Sequence, residues 1–342
     1  MAEVYKLFTS DDIITGDVQT VSQPIWSENM NPYTASWASG IGFFTSSTQV
    51  SQSGDYYVNV YHRNPATEVN AQIQFAIAYG HRLGSGSVGD PNTVGNNAND
   101  TPSRAIYSQY RNQLLPPTDQ IFTFGTANSN EILVINIARS RFRQKVDPGN
   151  WQLRIASGST PSATAFSTFI DNSGAGESPE INEAGRIFGI YSGSGGVTAS
   201  STQYGLFYPD QGVLVFHAGL LRSDLGLPIN SSSAVQARNH VTMSTWISAS
   251  GRFDARSEEK VNSTHYFVRV TNKQFNYSNN PTFVTGSTGT FRHPSMLRNP
   301  SVYVTTIGLY DNNNRLVAIA KLSRPLLKSF NREALIKVKL DY

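Results

Sequence analysis

Apolar and polar residues alternate in short runs over most of the chain. Tyr56, Val58 and Val60 alternate with Tyr57, Asn59 and Tyr61, and Ile73, Phe75, Ile77 and Tyr79 with Gln72, Gln74, Ala76 and Ala78. A period of two over such lengths predicts half-buried antiparallel strands. Further strands are predicted at 132–137 and at Trp151, Leu153 and Ile155, the latter launched by the turn Asp147-Pro148-Gly149-Asn150. Pro209-Asp210-Gln211-Gly212 separates two apolar runs, 204–208 and 213–217, and predicts a hairpin. A second hairpin is predicted where Asp311-Asn312-Asn313-Asn314 divides 302–310 from 316–322. Ile336, Val338, Leu340 and Tyr342 then alternate with Lys337, Lys339 and Asp341 as an amphipathic strand. One helix breaks the pattern. Thr101 caps it, Pro102 fits its first turn, Ile106, Tyr110 and Leu114 fall on one face, and Pro116-Pro117 ends it.

The expected fold class is mainly β, with antiparallel sheets in sandwich-like or barrel-like domains and one or two short helices. Ser157–Ser167 is rich in Ser, Thr, Pro, Ala and Gly and predicts a linker, and 192–202 predicts a second loop. Four regions follow: an irregular N-terminal arm at 1–40, a β domain with one helix at 41–157, a second β domain with long loops at 158–290, and a C-terminal hairpin and strand at 291–342.

Composition narrows the chemistry. The 342 residues are 39% hydrophobic and 15% charged, which suits a folded chain. The absence of cysteine removes disulfides, thiolate metal sites and thiol nucleophiles. No apolar run reaches the roughly 18 residues of a membrane span. The first twenty residues carry Lys6 but no apolar signal core, so synthesis in the cytoplasm and no membrane partner are expected. A net charge of +3, spread along the chain, gives no basic field for nucleic acid, which is not an expected partner.

Candidate catalytic patterns carry little. Gly84-Ser85-Gly86-Ser87-Val88-Gly89 has glycine spacing for a dinucleotide loop, but Asp90-Pro91-Asn92 follows where a helix must start, so no cofactor is expected. The six histidines lack the close spacing of a metal pair, and His62, His217 and His265 read as structural imidazoles in or beside strands. Glu177, Glu180 and Glu183 supply carboxylates for sugar hydrolysis, although Ser178-Pro179-Glu180 reads more simply as a capped helical turn. No catalytic or metal residues are assigned, and the chain is expected not to be an enzyme.

Two features suggest contact surfaces. Arg139, Arg141, Arg143 and Lys145 alternate with Ser140, Phe142 and Gln144, so in a strand the four cations share one face, as an edge guard or as a docking surface for an acidic partner. Ile336, Val338, Leu340 and Tyr342 pair with their own sheet or add to that of a neighbouring subunit. Trp26, Trp37 and Tyr277 are candidates for sugar platforms or for packing.

The segments Ile307-Gly308-Leu309-Tyr310-Asp311, Leu316-Val317-Ala318-Ile319-Ala320-Lys321-Leu322 and Arg324-Pro325, continuing to 335–341, resemble β-hairpin text of tailed-bacteriophage virion proteins. The resemblance spans about 50 residues, one supersecondary unit. Ser103–Tyr110 and Asp147–Trp151 carry a weaker likeness. It implies a structural protein of a virion, in tail or baseplate, made in the host cytoplasm and assembling with itself and with other virion proteins. Alternatives are a receptor- or carbohydrate-binding protein at a tail tip, and a head decoration or neck protein.

Overall fold

The computed structural model describes residues 5–27, 44–46, 57–65, 67–84, 103–231, 239–250, 252–278, 281–286 and 289–342. In chain order its strands are β1 (Ile13–Pro24), β2 (Phe44–Ser46), β3 (Tyr57–Tyr61), β4 (Ile73–His81), β5 (Phe122–Phe124), β6 (Ala127–Ser129) and β7 (Glu131–Ile137). They continue as β8 (Lys145–Val146), β9 (Gln152–Ala156), β10 (Phe166–Asp171), β11 (Glu180–Asn182), β12 (Gly185–Ser194), β13 (Val197–Tyr208) and β14 (Val213–His217). The last seven are β15 (Phe253–Asp254), β16 (Arg256–Val270), β17 (Val284–Thr285), β18 (Thr290–Phe291), β19 (Ser301–Tyr310), β20 (Leu316–Ser329) and β21 (Ala334–Asp341). The helices among the described residues are α1 (Ser103–Leu114), α2 (Ala218–Leu225), α3 (Asn239–Ser250) and α4 (Ser295–Arg298). The protein is mainly β with antiparallel sheets, as the alternation predicts, and carries four short helices rather than one or two.

The chain divides into two compact units, and the division is not the expected one. Unit 2 is residues 21–259, and unit 1 joins residues 1–20 to residues 260–342. The Ser/Gly-rich stretch after residue 157 is no linker. It turns β9 back into β10, with Phe166 opposite Ala156 and Ser167 opposite Ile155. The stretch 192–202 likewise closes a β12–β13 hairpin, Ser194 opposite Val197 around Gly195 and Gly196, both with φ in the left-handed region that glycine adopts without strain. Of the expected irregular arm at 1–40, residues 28–40 lie outside the described residues, and β1 runs for twelve residues in the part that is described. Tyr33, Trp37, Thr101, Pro102 and the loop 85–89 lie outside the described residues.

Unit 2 is built on an eleven-stranded antiparallel sheet, ordered β15-β9-β10-β12-β13-β14-β7-β4-β3-β2 with β11 attached to β12. Its central strands are covered on both faces, which explains their unbroken apolar text. In β7, Leu133, Ile135 and Ile137 enter one core, and Ile132 and Val134 the other. β14 divides in the same way, Leu214 and Phe216 against Val213 and Val215. Helices α2 and α3 cover the first face through Leu221, Leu225, Met243, Trp246 and Ile247, and α1 covers the second through Ile106, Tyr107, Tyr110 and Leu114. At Gly80 of β4 a Cβ would lie 2.9 Å from the Tyr107 backbone, so the absence of a side chain there sets how closely α1 seats on the sheet.

Unit 1 has a sheet ordered β1-β16-β21, in which β21 pairs antiparallel with β16 from Ser263–Asp341 to Val270–Ala334. The β19–β20 hairpin is a separate two-stranded sheet. Its turn is held by Asp311, whose Oδ1 accepts the Asn313 and Arg315 N–H groups at 2.9 and 2.8 Å and whose Oδ2 accepts Arg315 Nε at 2.8 Å. Asn314 takes the left-handed conformation at φ 60° that asparagine tolerates. The Arg315 N–H bond, with the side-chain bond behind it, holds the Asp311 carboxyl below its usual range. A depressed folded-state pKa makes the turn's support complete above the unfolded value and lost as pH falls through the folded one. A 13C-detected titration is therefore expected to place the Asp311 midpoint below about 3.9, and Asp311→Asn to remove the pH response of the Asn313 and Arg315 amides.

Candidate functional site

The expected basic stripe does not form. Residues 139–141 make a single 3-10 turn and only 145–146 are strand, so the period-two face is lost after Ile137. The four cations go to four separate partners. The Arg139 guanidinium lies 4.7 Å over the Phe142 ring, Arg141 donates to Ser27 Oγ, and Arg143 reaches Glu259 at 3.5 Å. Lys145 is buried with its Nζ 2.7 Å from Glu258 Oε2, in a pair that the β8–β16 register places directly opposite each other. Four like charges on one strand face repel. Here a turn separates them and four different partners take them up, so they do not share one strand face.

The acidic cluster is not a helical start, because Glu180 opens β11 and pairs with Ile187. Trp26 is no exposed platform. It is buried with its Nε1 donating to the Phe253 carbonyl at 2.8 Å and its ring 5.0 Å from that of Phe253. Tyr277 is half-buried. The imidazoles take structural partners. His62 Nδ1 accepts the Gln72 N–H at 3.1 Å, His217 Nδ1 caps α2 by accepting the Leu220 N–H at 3.3 Å, and His265 Nε2 lies 3.2 Å from Asp17 Oδ2. Among the described residues no three His, Asp or Glu side chains gather as a metal site, and no helix is long and apolar enough to cross a membrane.

A buried polar network in unit 2 was not legible in the sequence. Glu131 accepts Arg222 Nη2 at 2.7 Å and the Tyr79 hydroxyl at 3.1 Å, and Ser129 Oγ donates to the Glu131 carbonyl at 2.6 Å. Desolvation, with the Glu131 charge beside it, drives the Tyr79 phenol far above its ordinary range, so the hydroxyl stays protonated and donates. Burial pushes the His217 and His81 imidazoles down. The Tyr79 bond joins β4 to β7, and the Arg222 bond tethers α2 to β7.

The unusual surface belongs to unit 1. Of the 53 buried apolar residues among those described, unit 1 contributes only Val270, Leu309 and Val338. Of the 22 large apolar residues that stand exposed, it contributes 15, including Leu7, Ile14, Tyr303, Val317, Ile319, Leu335 and Tyr342. The hairpin is apolar inside and out: Ile319 is exposed on β20, and Val304 and Ile307 of β19 and the exposed Val317 of β20 line a cavity of about 730 Å3 with Phe8, Tyr266, Ile336 and Leu340. Lys328 anchors the base of the hairpin, fully buried, donating to the Asn272 carbonyl at 3.0 Å, Asn276 Oδ1 at 2.8 Å and the Ser329 carbonyl at 3.2 Å. Burial lowers its pKa.

Of the expected interface residues on the terminal strand, Val338 is buried, Ile336 and Leu340 are half-buried and Tyr342 is exposed. The strand uses its own sheet, as the simpler of its two readings has it, and its far edge has no strand beside it among the described residues. Tyr303, Val317 and Ile319 were missed by pattern reading. The signal was present in Leu316-Val317-Ala318-Ile319-Ala320, a run without polar alternation in a strand that, among the described residues, pairs only with β19. No family model, no curated protein and no solved structure matches the chain.

Proposed function

We propose that this chain is a structural protein of a tailed-phage virion, in its tail or baseplate, and that it works by contact with further copies of itself and with other virion proteins rather than by catalysis. The observation that carries the reading is the apolar imbalance of unit 1, with three buried apolar residues against fifteen large exposed ones. Monomeric proteins scatter single apolar residues over their surface but do not gather them this densely. Interfaces of permanent assemblies resemble a domain core cut in half, and unit 1 has that composition. The virion assignment rests on the resemblance of the hairpin and terminal-strand text, in which Tyr310, Leu316, Val317, Ile319 and Leu335 are exposed.

Sedimentation velocity of the full chain tests the contact reading. An oligomer at micromolar concentration is expected, with Val317→Lys/Ile319→Lys shifting it towards monomer. A chain that stays monomeric at every accessible concentration sinks the proposal. Antibodies to the chain are expected to decorate the tails of the particles that carry it, and decoration of heads alone would move it to the head decoration or neck reading.

A further inference from the structure

We propose that the cavity of unit 1 binds one long-chain fatty acid, its hydrocarbon tail lying between the β19–β20 hairpin and the β16–β21 pair and its carboxylate at Lys328. This inference is independent of the contact reading above. At about 730 Å3 the cavity falls within the roughly 300–1,000 Å3 of small-molecule sites, and aliphatic and aromatic side chains make up most of its wall. Water gains little in such surroundings, whereas an apolar ligand leaves water to enter them.

The dimensions select a single hydrocarbon chain. Along β21 the lining runs from Ala334 through Ile336 to Leu340, and on β16 it includes Val270 and Val268, which the register sets opposite Ala334 and Ile336 on the same face. From Ala334 to Leu340, at about 3.4 Å per residue, the cavity is about 20 Å long. Its volume over that length leaves a cross-section of about 36 Å2. A strand seated in a sheet fills about 48 Å2, from spacings of about 4.8 Å between strands and 10 Å between sheets, so the space is too narrow for an added strand. An extended hydrocarbon advances about 1.3 Å per bond, as the backbone does over the three bonds between successive Cα atoms, so a chain of about sixteen carbons spans the cavity.

Charge selects the head group and its place. At the hairpin turn the wall includes Asp311, whose carboxylate repels an acid. At the hairpin base it includes Lys328, which the register sets opposite Val302 and so on the same face as the cavity-lining Val304. A lysine is almost never fully buried unless it is paired. Lys328 is fully buried, yet the three acceptors of its ammonium, two backbone carbonyls and the Asn276 amide, are all neutral, and among the described residues it forms no ion pair. A carboxylate supplies the countercharge, and Asn276 Oδ1, the one side-chain acceptor of the three, can give way to it.

Titration of the full-length protein with cis-parinaric acid, a fatty acid that fluoresces in apolar surroundings, is expected to saturate at one molecule per chain and to be reversed by palmitate. Lys328→Met is expected to weaken palmitate at least about tenfold while leaving hexadecanol, which has the same tail and no charge, within about twofold. Ile336→Trp fills the cavity from β21 and is expected to abolish the binding of both, so the site remains testable should Lys328→Met fail to fold. Ile319→Lys changes an exposed side chain outside the lining and is expected to leave both unchanged. Fluorescence that never saturates, or that survives Ile336→Trp and falls with Ile319→Lys, is adsorption to the exposed surface and overturns the site. Equal losses of palmitate and hexadecanol in Lys328→Met overturn the fatty acid as the ligand. None of these readouts depends on oligomer formation, so their failure leaves the contact reading standing.

Discussion

Lys145→Met is expected to destabilise unit 2 by about 3–5 kcal/mol, because it strands the Glu258 carboxylate in a site from which water is excluded. The two side chains are 7% and 11% exposed and their charged atoms are 2.7 Å apart. An ion pair this buried has spent much of its attraction on desolvation, so its net value is small while the cost of breaking it from one side is large. The double variant Lys145→Met/Glu258→Leu is therefore expected to recover most of the loss, and the two single changes are expected to be strongly non-additive. All four tryptophans of the chain lie between residues 21 and 259, so the urea midpoint read by tryptophan fluorescence reports unit 2 alone. A docking role for Lys145 predicts the opposite result, with an unchanged midpoint and weakened assembly.

Phe216→Ala is the second large effect, also about 3–5 kcal/mol on the same midpoint. Phe216 is fully buried in β14, opposite Gly205 on one side and Leu133 on the other, with its ring edge-on to Phe169 at 5.7 Å. Strands flank β14 on both sides, so the surroundings have little freedom to collapse and most of the vacated volume persists as a cavity. Removing an exposed apolar side chain from the same unit, as in Val197→Ala, is expected to leave the midpoint unmoved, since Val197 is 70% exposed. The contrast between the two variants separates residues that hold unit 2 together from residues that only decorate it.

Ile73 to Tyr79 alternates and is β4, although it is buried on both faces rather than half-buried, with Gln74 and Ala78 covered as well, and the hairpins at 208–213 and 310–316 were marked by their turn residues. Helix α3 was not legible. Asn239-His240-Val241-Thr242-Met243-Ser244-Thr245-Trp246 lacks strong helix formers and is buried around most of its circumference, so packing against the sheet overrides weak local preference. The unit boundary was invisible for a different reason. Unit 1 draws on both ends of the sequence, and composition along the chain carries no record of which distant segments meet. The same limit hid the Lys145–Glu258 pair, whose partners lie on strands far apart in sequence, and turned a set of separately partnered cations into an apparent stripe. The exposed apolar hairpin could be recognised as strands but not as a surface, because alternation reports pairing and says nothing of what covers the second face.

The interruption of unit 1 by unit 2 has a consequence for the order of folding. Residues 20 and 260 are separated by the whole of unit 2, and closing a loop of that length in an unfolded chain costs about 5 kcal/mol of entropy. Once unit 2 has formed, the Ile25 N–H bonds the Ala255 carbonyl at 3.3 Å and Arg256 holds Ser22, so the two exits of the chain emerge side by side. The larger unit then acts as a clamp that brings residues 1–20 and 260–342 together without further loss of chain freedom. Newly made molecules should accordingly complete the tryptophan-containing body first, with the strands of unit 1 closing on one another only after it has formed.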